Sequence, residues 1–163
     1  MSSATSVRYA FGRPRRHAYA RARGAYQSQT AIRAEAGRLG SARMETLRDV
    51  MSTLLVTVDT DATVAEAAQL MSLQHVGAVL IVDGDQVRGI FTERDIVRAL
   101  AAEHDAAGHA VAGWMTADPI TLGPDAPVAE ARDRMLEEGF RHIPVVEAER
   151  LIGIVSLRDV SGR

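Results

Sequence analysis

Two heptapeptides, GIFTERD at residues 89–95 and GIVSLRD at residues 153–159, decide the fold of this chain. The alignment that superimposes them has an offset of 64 residues and extends without a gap over 49 positions, from residues 51–99 to residues 115–163. Fourteen of these positions are identical, whereas composition alone would give about three or four matches. The sequence therefore contains two copies of one unit, and we expect both to fold in the same way.

The domain organisation follows from this repeat. We place copy 1 at residues 45–107 and copy 2 at residues 108–163, behind a tail of residues 1–44. A unit of about fifty residues buries too little apolar surface to be stable by itself. We therefore expect the two sheets to pack face to face in pseudo-two-fold symmetry and to share a core.

Each copy predicts the element order strand, helix, strand, strand, helix. Thr63 and Glu66 have the spacing of a capping box at a helix start, and Gly84 lies in a turn between two strand-like runs. In copy 1 the predicted elements are a strand at residues 54–58, a helix from Thr63, strands at residues 78–82 and 86–91, and a helix from about Glu93 that carries Ile96, Val97 and Leu100. In copy 2 the corresponding elements run through Ile120, residues 128–135, 143–146 and 151–155, and Asp159. The fold class is therefore α/β in the mixed (α+β) sense.

Composition places the chain among soluble globular proteins. It has 163 residues, of which 47% are hydrophobic, and this is enough for a buried core. The absence of cysteine excludes disulfides and thiolate metal sites, and it fits a reducing compartment. The longest apolar run, residues 76–82, is far too short to cross a bilayer. We therefore expect a cytoplasmic protein without membrane insertion.

The net charge of −2 conceals a basic tail. Residues 1–43 carry nine arginines and a single acid, Glu35, whereas residues 44–163 carry ten arginines and twenty acids. The tail lacks aliphatic periodicity, so we expect disorder apart from a short helix near residues 31–39. Three interpretations stay open: a basic arm that contacts nucleic acid or the acidic body, an Arg-rich targeting peptide, or translated upstream sequence before a true start at Met44.

Several segments together resemble a known family. They are the Val50-Met51 and Trp114-Met115 pairs, the Asp-Ala-x-Val-Ala-Glu-Ala helix starts, the runs at residues 77–83 and 141–147, and the two closing heptapeptides. In this order they resemble a tandem pair of cystathionine-β-synthase (CBS) domains, also called a Bateman module. The resemblance covers residues 45–163 and recurs twice in register.

The resemblance implies a regulatory module rather than an enzyme. It implies two pseudo-symmetric sites for an adenosine-containing ligand, such as AMP, ADP, ATP, S-adenosylmethionine or NAD(H), and frequent homodimerisation. Of these ligands we favour AMP or ATP, as a regulator and not as a catalytic cofactor. With no catalytic domain beside the pair, we expect the output to pass through a partner protein.

The closing heptapeptides supply the first candidate site residues: Thr92 and Asp95 in copy 1, and Ser156 and Asp159 in copy 2. A carboxylate can accept hydrogen bonds from both ribose hydroxyls, while the hydroxyl and the helix N-terminal amides can contact a phosphate. The same spacing also forms a capping box that stabilises a helix by roughly 1 kcal/mol without any ligand. Recurrence and the family resemblance favour the ligand site.

The resemblance also implies a role for residues on the strands. Thr57 and Thr121 would lie beside the adenine, whose edge would be read by the backbone near Ala78 and Ile143. An ordinary strand threonine is the simpler interpretation of the first two. Arg141 and His142 are expected at phosphates; their counterparts in copy 1 are Gly77 and Ala78, so we expect the two sites to differ.

Other residues are weaker candidates for a functional site. The histidines at positions 75, 104, 109 and 142 are too dispersed in sequence, without cysteine, to predict a metal site, and Trp114 is better interpreted as a core or interface anchor. No spacing indicates a catalytic triad, a Walker loop or paired catalytic carboxylates. The last helix of copy 2 is expected to be barely one turn, which leaves less apolar cover over its site.

Three functions therefore stay open. The first is a sensor of an adenosine ligand that depends on Asp95 and Asp159. The second is a ligand-free structural or dimerisation module that uses the same helices as an interface. The third is nucleic acid contact through the arginine-rich tail, which we rank last because every basic residue is Arg, as a GC-rich coding sequence would also produce.

Overall fold

The computed structural model describes residues 5–8 and 45–161 of the 163-residue chain. Its strands are β1 (Thr5–Arg8), β2 (Leu54–Val58), β3 (Ala78–Asp83), β4 (Gln86–Thr92), β5 (Thr116–Ala117), β6 (His142–Glu147) and β7 (Arg150–Ser156). Its helices are α1 (Leu47–Val50), α2 (Val64–Gln74), α3 (Glu93–Ala102), α4 (Val128–Glu138) and α5 (Leu157–Val160). Two 3-10 turns, Ala106–Gly108 and Val111–Gly113, join the copies.

The strands form two sheets. The first has the order β1-β2-β3-β4-β5, with β1, β2 and β3 parallel and the remaining pairs antiparallel. The second is the β6-β7 hairpin. Leu55, Leu80 and Ile90 form a buried layer of the first sheet, and Leu151 and Ile154 of the second pack against that layer. The expected face-to-face packing of the two sheets is confirmed.

Copy 2 differs from copy 1 at its first strand. The segment through Ile120, expected as a strand, contributes only an isolated parallel bridge between Leu122 and Val145. Pro119 stands where copy 1 has Leu55, and a proline has no N–H to donate to a sheet. Asp118, before it, has a left-handed φ of 46°. The preceding residues Thr116 and Ala117 pair instead with β4 of copy 1, so that part of the prediction was wrong.

The segment that leads into each copy packs on the other copy. Leu47 and Val50 of α1 are buried in the core of copy 2, together with Ala131 and Met135. Conversely, Trp114 and Met115 pack against the core of copy 1, which confirms the anchoring role expected of the tryptophan. The two lead segments therefore cross over and join the copies through both cores.

Two glycines make this crossing possible. A Cβ added at Gly153 would lie 2.5 Å from Sδ of Met51, and a Cβ added at Gly89 would lie 2.3 Å from Sδ of Met115. No side chain fits at either glycine while the methionine stays in place. The first residue of each closing heptapeptide is thus a seat for the lead methionine of the other copy.

Two further findings concern α3 and the tail. Val97 and Leu100, which α3 was expected to carry, are 68% and 52% exposed; the helix turns Asp95 and Ala99 inward. Residues 5–8, within the tail expected to be disordered, form β1 beside β2, because an uncovered sheet edge can pair with any extended backbone. The rest of the tail, including residues 31–39, lies outside the described residues.

Candidate functional site

A cleft of about 1320 Å³ lies between the two copies. The two helix starts that carry the predicted aspartates both line this cleft: Thr92 and Asp95 at α3, and Ser156 and Asp159 at α5. Each helix begins directly after the last strand of its copy. The pseudo-symmetry therefore brings the two closing heptapeptides, 64 residues apart in sequence, to one cleft.

Asp95 caps helix α3. Its Oδ2 accepts hydrogen bonds from the backbone N–H of Thr92 at 2.9 Å and from the hydroxyl of Thr92 at 2.7 Å. Its Oδ1 lies 3.1 Å from Nη2 of Arg98, one turn further along the helix. The carboxylate is 8% exposed, so it is a nearly buried charge with protein partners on both oxygens.

Asp159 repeats the cap in copy 2. Its Oδ2 accepts from the backbone N–H of Ser156 at 2.9 Å and from the Ser156 hydroxyl at 2.7 Å. The capping that the sequence predicted as one possibility is thus present in both copies. A cap and a ligand site are compatible, because capping uses Oδ2 and a carboxylate has two oxygens.

A positively charged group and a neighbouring titratable group of copy 2 line the cleft. Arg141 and His142 both line it. A Cβ built at Gly77 of copy 1 would lie 3.7 Å from Cε1 of His142 and 3.5 Å from Oε2 of Glu93. His142, Gly77 and Glu93 therefore surround one point, where a strand of each copy meets the start of α3.

Burial lowers the pKa of the His142 imidazole below its ordinary value, and the positive charge of Arg141 acts in the same direction. The carboxylates of Asp159 and Glu93 act in the opposite direction but have the smaller effect. His142 is therefore neutral near pH 7 and can donate one hydrogen bond from its ring. A phosphate placed beside it would favour protonation.

Three predicted site residues do not line the cleft. Thr57 lies within β2 and is 2% exposed, Ile143 is completely buried in the core of copy 2, and Thr121 is exposed in the irregular segment after Pro119. Ala78 does line the cleft. The hydroxyl of Thr57 is the one buried side-chain polar group without a hydrogen-bond partner among the described residues.

Six charged residues of the cleft were missed by sequence reasoning: Glu93, Arg94, Arg98, Asp118, Glu138 and Arg158. Arg94 donates to the carbonyl of Gly139 at 3.0 Å. Arg98 was detectable, because residues three apart on a helix share a face and Asp95 was already a candidate. The omission matters, because Arg98 gives copy 1 a cation in the cleft although Gly77 stands where copy 2 has Arg141.

A surface group of possible metal ligands lies at the end of α3. Glu103, Asp105 and His109 bring their ligand atoms within 4.8 Å of one another, and all are exposed or half-exposed. The sequence prediction considered only histidines and overlooked these acids. Nδ1 of His109 lies 2.7 Å from Glu103, and Nε2 lies 3.5 Å from Asp105. Both ring nitrogens of His109 thus face carboxylates.

No helix in the described part of the chain is both long and apolar enough to cross a bilayer. The longest helices, α2 and α4, have 11 residues each, about half of what a span requires.

Comparison with known proteins gives a consistent result. The family model of the CBS domain matches this sequence twice, at residues 47–102 and 111–162. Hypoxic response protein 1 of Mycobacterium tuberculosis is 36% identical over 121 residues, which cover 72% of this chain and 84% of that protein.

Solved structures agree in fold. The CBS-domain containing protein ATU1752 of Agrobacterium tumefaciens has a TM-score of 0.68 and 32% identity, covering 72% of this chain and 97% of its own. The CBS domain pair of protein MJ0100, solved with 5′-methylthioadenosine and S-adenosyl-L-methionine, has a TM-score of 0.67 and 28% identity, covering 73% of this chain and 94% of its own.

Proposed function

The chain belongs to the CBS domain family as a tandem pair, and from this premise we propose that it is a regulatory module that binds an adenosine-containing ligand in its cleft. Proteins of this kind are generally regulatory and not catalytic. The ligand-dependent signal would pass to a partner protein. The observation that carries the proposal is that both Thr/Ser-x-x-Asp helix starts line a single cleft between the copies.

The residues of the cleft match the parts of such a ligand. A carboxylate beside a helix start can accept hydrogen bonds from ribose hydroxyls, as Asp95 or Asp159 would do. Arg141 and His142 offer a cation and a ring N–H to an anionic group. Apolar surface from Ala78 and Ile154 suits the faces of an adenine.

The binding of 5′-methylthioadenosine and S-adenosyl-L-methionine by the MJ0100 domain pair supports the ligand class. For this chain we propose AMP or ATP before those two ligands or NAD(H), because Arg141 lines the cleft and copy 1 contributes further arginines to it. A terminal phosphate dianion gains more from these guanidinium groups than the neutral thioether of 5′-methylthioadenosine, the sulfonium cation of S-adenosyl-L-methionine or the singly charged phosphates of NAD(H) do.

The test is thermal unfolding of the full chain with and without AMP, ATP, S-adenosylmethionine and NADH. A ligand present at about 100 times its dissociation constant, and bound only to the folded state, adds about 2.7 kcal/mol to the free energy of unfolding. We expect such a shift with a phosphorylated ligand. We expect Asp95→Asn and Asp159→Asn to reduce the shift, whereas Asp83→Asn, on an exposed hairpin, leaves it unchanged.

Because the caps also stabilise the helices, only the ligand-induced change within each variant counts, not its midpoint without ligand. No change with any ligand would contradict the proposal. An unchanged shift in both aspartate variants would mean that the ligand binds elsewhere.

The alternative is a ligand-free structural or dimerisation module. Exposed apolar side chains on three helices favour it: Leu73 on α2, Val97 and Leu100 on α3, and Leu136 on α4. A homodimer through such surfaces is compatible with ligand binding. Val97→Ser distinguishes the two functions. It should weaken a dimer, which analytical ultracentrifugation measures, without changing the ligand-induced shift in thermal unfolding.

A further inference from the structure

Arg98 holds the oxygen of Asp95 that capping leaves available. Asp95 Oδ2 is occupied by the N–H and hydroxyl of Thr92, and Asp95 Oδ1 lies 3.1 Å from Nη2 of Arg98. The same nitrogen donates to the carbonyl of Trp114 in the lead segment of copy 2. A ribose that is to bind Asp95 must therefore compete with a guanidinium.

This guanidinium is free to change partners. Its side chain is 58% exposed and lines the cleft, so it can turn without opening the core. Because Arg98 lies one helical turn after Asp95, their side chains lie on one face of α3. A single nucleotide can therefore place its ribose at the carboxylate and its 5′-phosphate at the arginine.

We infer that Arg98 is the residue that makes the Asp95 site select phosphorylated adenosine over uncharged adenosine derivatives. This inference rests on the proposed ligand class. A phosphate offers the guanidinium a new charged partner and releases Asp95 to the ribose. An uncharged ligand offers no such partner, so Arg98 stays on Asp95 and competes with the ribose hydroxyls.

This assignment concerns copy 1. The position that corresponds to Arg98 in copy 2 is Gly162, so copy 2 has no arginine three residues after Asp159. Copy 1 has Gly77 where copy 2 has Arg141. Besides Arg94 and Arg158, which correspond to each other, each copy thus has one cleft arginine without a counterpart: Arg98 on α3 in copy 1, and Arg141, the residue before β6, in copy 2.

The experiment compares AMP with 5′-methylthioadenosine, which keeps the adenosine but carries no phosphate. Isothermal titration calorimetry is performed on the full chain with Asp159→Ala, so that binding reports on Asp95. Adding Arg98→Met should weaken the binding of AMP roughly tenfold and strengthen the binding of 5′-methylthioadenosine severalfold. The matched control is Arg134→Met, which removes a half-exposed arginine that also lies near a carboxylate, Glu130 on α4, but does not line the cleft; it should change both affinities less than about twofold.

Changes of opposite sign for the two ligands support the inference. Equal weakening of both, or no change, overturns it, because Arg98 would then be structural or irrelevant. If Arg98→Met does not fold by circular dichroism, Arg98→Gln is used with the same expectation, since it removes the charge but keeps a donor. Binding by the unaltered chain but not by the Asp159→Ala chain overturns this inference alone, whereas no binding by the unaltered chain overturns the proposed function as well.

Discussion

The contact between Met51 and Gly153 gives a quantitative prediction for Gly153→Ala. The added Cβ would lie 2.5 Å from Met51 Sδ, 3.0 Å from Cγ and 3.2 Å from Cβ. The Cβ of Met51 cannot move without its backbone, and the next residue, Ser52, exchanges two backbone hydrogen bonds of 2.9 and 3.0 Å with Ile154. Overpacking of this kind costs about 1–3 kcal/mol, so we expect the free energy of unfolding to fall by about 2 kcal/mol.

Urea unfolding of the full chain measures this effect in a double-mutant cycle. Met51→Ala removes a half-buried side chain and should itself cost about 1–2 kcal/mol. It also makes room for the new methyl group, so the double variant should be more stable than the sum of the two single changes by at least about 1 kcal/mol. Gly123→Ala is the control, since a Cβ there meets no atom within 4 Å. A cost for Gly153→Ala no larger than for Gly123→Ala, or additivity in the cycle, would refute the argument.

Three further predictions concern stability. Glu149→Gly should raise the free energy of unfolding, measured in urea, by about 0.5–1 kcal/mol. The reason is that Ala148 and Glu149, in the two-residue turn between β6 and β7, both hold a left-handed φ, of 47° and 64°. A loss of stability would show that the Glu149 side chain makes a stabilising contact. Thr57→Val should stabilise the chain by up to about 1 kcal/mol without ligand, since the buried hydroxyl has no partner among the described residues, and a measured loss of stability would reveal one. Because the pKa of His142 is lowered in the folded state, the unfolded state takes up a proton near pH 6.5 before the folded state does. The free energy of unfolding should therefore fall as the pH drops from about 7 towards the folded pKa. A His142→Gln variant should show a shallower fall over that range, and an unchanged pH profile would contradict the burial argument.

The parts of the fold that sequence could predict are those controlled by neighbouring residues. Thr63 and Glu66 form the predicted capping box, with Glu66 Oε2 2.8 Å from the backbone nitrogen of Thr63. The first hairpin turns at Gly84, whose φ is 64°, as its sequence indicates. Such signals need only a few residues to specify a conformation, so copy 1 could be read without copy 2, which has Pro127 in place of Thr63 and Ala148 in place of Gly84.

The parts that could not be predicted depend on residues far apart in the chain. The burial of Leu47 in the core of copy 2 has no local signal, since any apolar helix of four residues would suit either core. The missing strand at Ile120 was different, because Pro119 was visible and removes an N–H that the strand would need. In the candidate site, the helix starts were identified but Arg98 was missed, as its contact with Asp95 becomes informative only when the cleft is known.

Comparing the two copies separates the scaffold of the cleft from its chemistry. The methionines of the lead segments, the glycines on which they sit and the capping aspartates are identical in both copies, and each has a structural reason that ignores any ligand. Three copy 1 residues that line the cleft differ in charge from their sequence counterparts in copy 2: Gly77 against Arg141, Glu93 against Leu157, and Arg98 against Gly162. A pair of equal sites would need no such differences. The two halves of the cleft therefore present different charges on one scaffold, which suits a protein that distinguishes ligands by their phosphates and not by their adenosine.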